Sequence, residues 1–384
     1  MNKKQTIFSA IQPSGELHIG NYLGALKNFV ELQDKYNCFF FIADYHSITG
    51  NYDPKEKSKQ IFDLALDFLA IGLDPKKCTI AVQSQVPEHT ELAWIFNTIT
   101  PISELQRMTQ FKDKSQDQEK NINMGLFDYP VLQAADILMY KAYGVPVGQD
   151  QIQHIELTRK IARFFNNKFG ETFPEPCDII TETPKIMSLT DPTKKMSKSH
   201  GPKSYIGIND NENTITEKMK KAVSLSNTEI EKKDVKELID VIEGKPETIK
   251  NIMDGFGIIS IGPTKRGNLL TRYIDNKFIT KESQRAAYII AHYSTLLNIF
   301  IEDKKEKESF KDNFLAQDTE FSKLKNALAK DIASHFKNFR EKRRELEKNP
   351  EEVKKVLNDG TQKAREIAQK TMKEVKEKIG LVIE

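Results

Sequence analysis

Thr6-Ile7-Phe8-Ser9-Ala10-Ile11, followed by Gln12-Pro13-Ser14-Gly15-Glu16-Leu17-His18-Ile19-Gly20-Asn21, reads as a buried strand, a turn and the start of a helix. The helix is expected to run from Ile19 to about Tyr36, with Ile19, Tyr22, Leu23, Leu26, Phe29 and Val30 on one side. The pattern then repeats. Cys38 to Ala43 is a second apolar strand, and Asp53-Pro54 announces a helix from Lys55 to Ile71. Cys78 to Gln83 is a third strand, and Glu88 to Thr98 a third helix. Strands that are apolar throughout, with helices between them, predict an α/β fold with a parallel sheet covered on both faces. Ligands in such folds sit outside the carboxyl ends of the strands. Residues 12–21 and 44–50 follow the first two strands and are the expected site.

The rest of the chain is read against this beginning. Residues 101–170 are expected to be a mostly helical insertion, with an amphipathic helix from Asp150 to Phe169. Near residue 206 the composition turns Lys/Glu-rich with helical periodicity. That change predicts a sheet-containing domain over 1–205 and a mostly helical one over 206–384. A final helix is expected to start at Gly360-Thr361 and stop at Gly380, with Ala364, Ala368, Met372, Val375 and Ile379 as its buried stripe.

A chain of 384 residues at 38% hydrophobic can bury more than one core. Lys+Arg 58 nearly balances Asp+Glu 55, so the net charge of +3 is no polyanion-binding signature, and any nucleic-acid contact must be local. Cys38, Cys78 and Cys177 form no C-x-x-C pair, which argues against a disulfide framework or structural zinc. No apolar run reaches membrane-spanning length, and the start lacks the stretch of a signal peptide. A cytoplasmic protein without a membrane partner or a protein-bound metal is the expectation.

Two stretches carry the chemistry. At Pro13 to Asn21 a strand gives way to a helix. Unpaired N–H groups at that start would attract an anion, Gly20 would let a ligand approach, and His18 and Asn21 would donate hydrogen bonds. Lys195-Met196-Ser197-Lys198-Ser199 follows the Asp191-Pro192-Thr193 turn and precedes Gly201-Pro202. A loop so rich in lysine and serine can wrap a triphosphate with point charges and hydroxyl donors. Neither Gly255 to Ser260 nor Gly262 to Asn268 completes a dinucleotide or P-loop motif.

These stretches resemble the motifs of class I aminoacyl-tRNA synthetases, and more narrowly those of the bacterial-type tryptophanyl-tRNA synthetases. Gly20 to Ala25, Arg107 to Lys112, Ala134-Ala135-Asp136-Ile137-Leu138, Val145 to Gln151 and His154 to Arg159 add to the similarity. It runs almost continuously over residues 5–223 and returns in the last 50 or so. The resemblance implies a Rossmann-like catalytic domain and a helical, anticodon-reading domain, in a homodimer. It implies that L-tryptophan and ATP, accompanied by Mg²⁺, give tryptophanyl-adenylate and pyrophosphate, and that tryptophan then passes to the 3′ end of tRNA(Trp).

Site residues follow from the matched motifs. Gln12, His18, Lys114, Lys195 and Lys198 are the expected catalytic groups. Pro13, Ser14, Gly20, Asn21, Gly148, Gln149, Asp150, Met196, Ser197 and Ser199 complete the ATP site. Asp136 lies in an apolar helix, where a carboxylate needs a partner. The resemblance gives it the indole N–H of tryptophan. Phe8, His46, Tyr129, Gln133, Val147 and Gln151 are expected around the substrate. The family commonly has methionine three residues before that aspartate. Gln133 departs from this, and is expected to touch the indole edge or Asp136. The family's helical connection is also expected to be expanded here, at about 227–315. Three other readings stay open at this point: a tyrosine-specific relative, a nucleotidyltransferase of the same superfamily, and a non-catalytic tRNA or tryptophan binder.

Overall fold

The structure is a computed structural model that describes residues 4–109, 123–148, 151–180, 185–225, 230–255, 266–278, 280–316 and 320–382. Contacts group these residues into two compact units. The first takes the described residues of Met1–Glu16, Ala25–Thr181 and Lys342–Glu384. The second takes those of Leu17–Gly24 and Glu182–Glu341. The units are discontinuous in the chain, unlike a single cut near residue 206.

The first unit is built on a five-stranded sheet of β1 (Thr6–Ile11), β2 (Asn37–Ile42), β3 (Cys78–Val82), β4 (Gly144–Val147) and β5 (Cys177–Ile180), in the order β3-β2-β1-β4-β5. All four pairings are parallel. β1, β2 and β3 follow the apolar runs read from the sequence. β4 lies inside the region expected to be helical, and β5 is not announced by the sequence either. Each has only four residues, and β4 contains Pro146, so neither shows a strand-length apolar run. The strand order reverses between β1 and β4. The carboxyl ends of these strands therefore flank the switch point where ligands of open α/β sheets bind.

Helices α1 (Pro54–Ala70), α2 (Glu88–Asn97), α3 (Met124–Met139) and α4 (Ile152–Phe169) cover this sheet and its core. Asp53 caps α1 by accepting from the Lys55 N–H, with Pro54 at the first helical position. The expected Ile19–Tyr36 helix is three pieces: Ile19–Asn21, a π-helical turn at Tyr22–Leu26, and Lys27–Leu32. Asp150, expected to begin the amphipathic helix, lies outside the described residues, and α4 opens at Ile152 after Gln151.

The second unit is mostly helical. It includes α5 (Glu212–Lys221), α6 (Lys232–Glu243), α7 (Arg266–Lys277), α8 (Lys281–Phe300) and α9 (Phe321–His335). α8 buries Tyr288, Ile289, Ile290, Tyr293, Leu296 and Leu297 and packs against α6, α7 and α9.

The last helix, α10 (Pro350–Ile379), belongs to the first unit and packs against β3. It starts ten residues before Gly360. Pro350 at the first position favours that start, and Gly380 in the left-handed conformation ends it as expected. Gly360 is an interior contact, not a start. A methyl group built on it would overlap the Ile80 carbonyl oxygen and lie 2.8 Å from that carbonyl carbon. The glycine lets the helix backbone touch the strand backbone.

Candidate active site

In the first unit Asp136 sits on α3, with 2% of its surface exposed. Its carboxylate is not awaiting a partner. His46 Nε2 lies 2.8 Å from Oδ2, His89 Nδ1 lies 2.5 Å from Oδ1, and Gln83 Nε2 donates to both oxygens at 2.9 Å. Burial alone would raise its pKa. The hydrogen bonds and charges of His46 and His89 outweigh that and hold it at about 2. His89 Nε2 lies 2.7 Å from the Tyr140 hydroxyl. Burial and the Asp136 charge push that hydroxyl well above its usual range, so it keeps its proton.

Gln83 and His89, which hold the Asp136 carboxylate, are residues that sequence reasoning misses. Gln83 directly follows β3 and His89 stands in the first turn of α2, so position after a strand was the available signal. Because His46, Gln83 and His89 satisfy the carboxylate from within the protein, Asp136→Asn is expected to destabilise the fold by about 3 kcal/mol. The new amide N–H₂ would face donors that need an acceptor. Urea unfolding of the substrate-free variant measures this. An unchanged midpoint would show that the network does not hold the carboxylate.

The other residues expected around tryptophan gather here in part. The Phe8 ring stacks on Tyr140, with centroids 5.6 Å apart and an interplanar angle of 7°. His46 meets Tyr129 edge-on at 6.2 Å, and the Tyr129 hydroxyl lies 3.0 Å from His154 Nε2. Val147 is buried in the same core. Gln133 donates to Gln151 Oε1 at 3.5 Å. The expected Gln133–Asp136 contact is absent, because His46, His89 and Gln83 fill that carboxylate.

Residues expected at the nucleotide fall in both units. In the first, Gln12, Pro13 and Ser14 follow β1 and Gly148 follows β4, at the switch point. Lys57 Nζ donates to the Pro13 carbonyl at 3.1 Å. Lys114, Gln149 and Asp150 lie outside the described residues.

In the second unit His18 and the Lys195–Ser199 loop come together. Leu17 and Ile19 exchange backbone hydrogen bonds with Ile208 and Ile206, and His18 pairs with Gly207 in an isolated bridge. The loop is pinned by Met196 N–H to Ile186 O, by Ser204 Oγ to Ser197 O, and by the buried Met196 side chain. Burial, then the charges of Lys198 and Lys195, lower the His18 pKa to about 4. The ring is neutral near pH 7. Its Nδ1 accepts the Gly20 N–H at 3.1 Å, so its proton sits on Nε2, a neutral donor. No carboxylate among the described residues pairs with Lys195.

The helix start does not offer free amides. Ile19 N–H goes to Ile206 O, Gly20 N–H to His18 Nδ1, and Asn21 and Tyr22 N–H to His18 O. Asn21 Oδ1 accepts the His18 N–H and closes a capping box. Anion binding here must rest on side chains. Gly20 also serves the fold, since a Cβ there would lie 2.9 Å from the His18 ring.

The family described as tRNA synthetases class I (W and Y) matches residues 1–291. A tryptophan–tRNA ligase of Caldanaerobacter subterraneus subsp. tengcongensis is 43% identical over 380 residues, covering 98% of both chains. One from Clostridium tetani is 40% identical over 385 residues, covering 100% of this chain and 98% of its own. These alignments run through residues 227–315, so that stretch is common to these relatives. The crystal structure of tryptophanyl-tRNA synthetase from Campylobacter jejuni, in complex with ADP and tryptophan, superposes with a TM-score of 0.74 at 31% identity. It covers 98% of this chain and 99% of its own. By sequence over its whole length and by fold, this chain belongs to the class I tRNA synthetases of the tryptophan and tyrosine family.

Proposed function

We propose that the chain is a tryptophan–tRNA ligase, which joins L-tryptophan to ATP as the adenylate and then transfers it to tRNA(Trp). The observation that carries the ATP half is local to one unit: two stretches some 180 residues apart in sequence bring a neutral imidazole donor and two lysines together. The tryptophan carboxylate attacks the α-phosphorus, the bond from that phosphorus to the leaving oxygen breaks, and pyrophosphate departs. No enzyme nucleophile is required, only alignment and stabilisation of spreading charge. Lys195 and Lys198 meet the leaving pyrophosphate, and His18 Nε2–H donates without adding charge. Gln12 meets the substrate carboxylate, while Pro13, Ser14 and Gly148 line the switch point. Mg²⁺ arrives with ATP.

The indole N–H is donor-only, and an acceptor-rich place suits it. Asp136 supplies one acceptor after exchange with His46 or Gln83. The side-chain oxygen of Gln83, Oε1, buried and without a hydrogen-bond partner, supplies another. Phe8 and Val147 are walls, and Tyr129, Gln133 and Gln151 surround the amino acid's polar end. The helical residues 206–384 read tRNA(Trp). Two copies form the working enzyme, in the cytoplasm. No helix among the described residues is long and apolar enough to cross a membrane.

Pyrophosphate exchange into ATP by the purified protein tests the reading. Exchange is expected with tryptophan and about 10⁴-fold less with phenylalanine, which has no ring donor, since a site built around one hydrogen bond rejects what cannot make it. Exchange driven by tyrosine would reassign the substrate. Exchange with neither would remove the activity.

A further inference from the structure

Residues 204–210 belong to neither of the two stretches assigned to ATP, yet they are bonded to both, within the second unit. At one end, on either side of His18, the Ile206 carbonyl accepts the Ile19 N–H at 3.0 Å and the Ile208 N–H donates to the Leu17 carbonyl at 2.9 Å. Asp210 closes the turn that follows. Its Oδ2 accepts the Gly207 N–H at 2.7 Å and lies 2.6 Å from Lys218 Nζ of α5. That ammonium stands 4.7 Å over the Tyr205 ring, whose centroid is 5.9 Å from that of His18. At the other end Ser204, completely buried, reaches the lysine loop.

The two lysines of that loop are held differently. Lys195 pairs with Met187 in an isolated bridge, and the next N–H, that of Met196, goes to the Ile186 carbonyl at 2.9 Å. Lys198 stands in the turn that follows, and the Ser204 hydroxyl holds this turn. Its oxygen lies 2.8 Å from the Ser197 carbonyl and 2.7 Å from the Gly201 carbonyl, and a hydroxyl has one proton to give. Gly201 already accepts the Ser204 N–H at 3.1 Å, whereas the Ser197 carbonyl otherwise has the His200 N–H at 3.4 Å. The proton therefore belongs on Ser197, the residue before Lys198. A misplacement of about 1 Å in a group aimed at a reacting centre can cost on the order of 10²-fold in rate.

We propose that Ser204 is a positioning residue for adenylate formation: by holding the Ser197 carbonyl it sets Lys198 against the leaving pyrophosphate, in register with His18. The inference rests on the reading of Lys198 as a group that meets that pyrophosphate.

A double-mutant cycle in the full-length protein tests it, with single-turnover adenylate formation as the readout. Ser204→Ala is expected to slow the step about tenfold, the worth of one hydrogen bond, and to leave tryptophan affinity within about twofold. In a Lys198→Ala background the same substitution should slow the step by less than about twofold, because the group it places is gone. A serine that only stabilised the fold would cost the same factor in both backgrounds. Equal factors overturn the proposal, as does an unchanged rate in Ser204→Ala alone. If Lys198→Ala by itself keeps the parent's rate, the phosphate reading falls and takes the proposal with it. Should Ser204→Ala fail to fold, Ser204→Cys, of nearly the same shape but a weaker donor, goes through the same cycle, and equal factors there also overturn the proposal.

Discussion

Gly360→Ala is expected to lower the unfolding free energy by more than about 3 kcal/mol. Helix propensity alone argues the other way. An alanine inside a helix is favoured over glycine by about 1 kcal/mol. The opposite sign comes from β3. The new methyl would overlap the Ile80 carbonyl, which is backbone within a parallel sheet and cannot rotate away. The helix would have to lift, and lifting exposes the stripe of Val353, Leu357, Ala364, Ala368 and Val375. Urea unfolding measures the loss, and Gly380→Ala, which meets no atom but strains a left-handed backbone, gives for comparison the cost of strain without a clash. A Gly360→Ala protein as stable as the parent would mean that α10 does not sit against β3.

The second large effect is kinetic. Lys198→Ala is expected to slow adenylate formation by about 10²- to 10³-fold while tryptophan affinity stays within about twofold, because a donor aimed at developing charge acts mainly in the transition state. Single-turnover formation of the adenylate, followed by stopped flow, gives the rate directly. Lys194→Ala provides the comparison. Lys194 is exposed and lies 3.6 Å from Asp191, so its removal should leave the rate nearly unchanged. Equal losses in both variants would reduce the loop to a generic basic patch. A loss confined to tryptophan affinity would move Lys198 out of the phosphate site. His18 links to the same measurement. With its pKa depressed to about 4, the ring stays neutral as pH falls through the usual histidine range near 6.5, so its part in the rate should persist there.

The sequence carried the alternation of β1, β2 and β3 with helices, because apolar runs and the Asp53-Pro54 start are local signals read within a few residues. It also carried the two stretches proposed for the triphosphate, whose spacing of lysine, serine and glycine is written in order along the chain. The remainder was not local. β4 and β5 are strands only because β1 and each other supply their partners, and four residues with a proline do not announce themselves. Asp136 could be read as buried and in need of a partner, but its partners stand 90, 53 and 47 residues away. The amides at the start of Ile19–Asn21 looked free in sequence. Ile206, brought back by the chain, and the His18 ring took them. Local order thus follows from each segment's own pattern of apolar and turn residues. Which polar groups are left over for chemistry is decided only when distant segments close on one another, because hydrogen-bond satisfaction is a property of the packed molecule and not of any stretch of it.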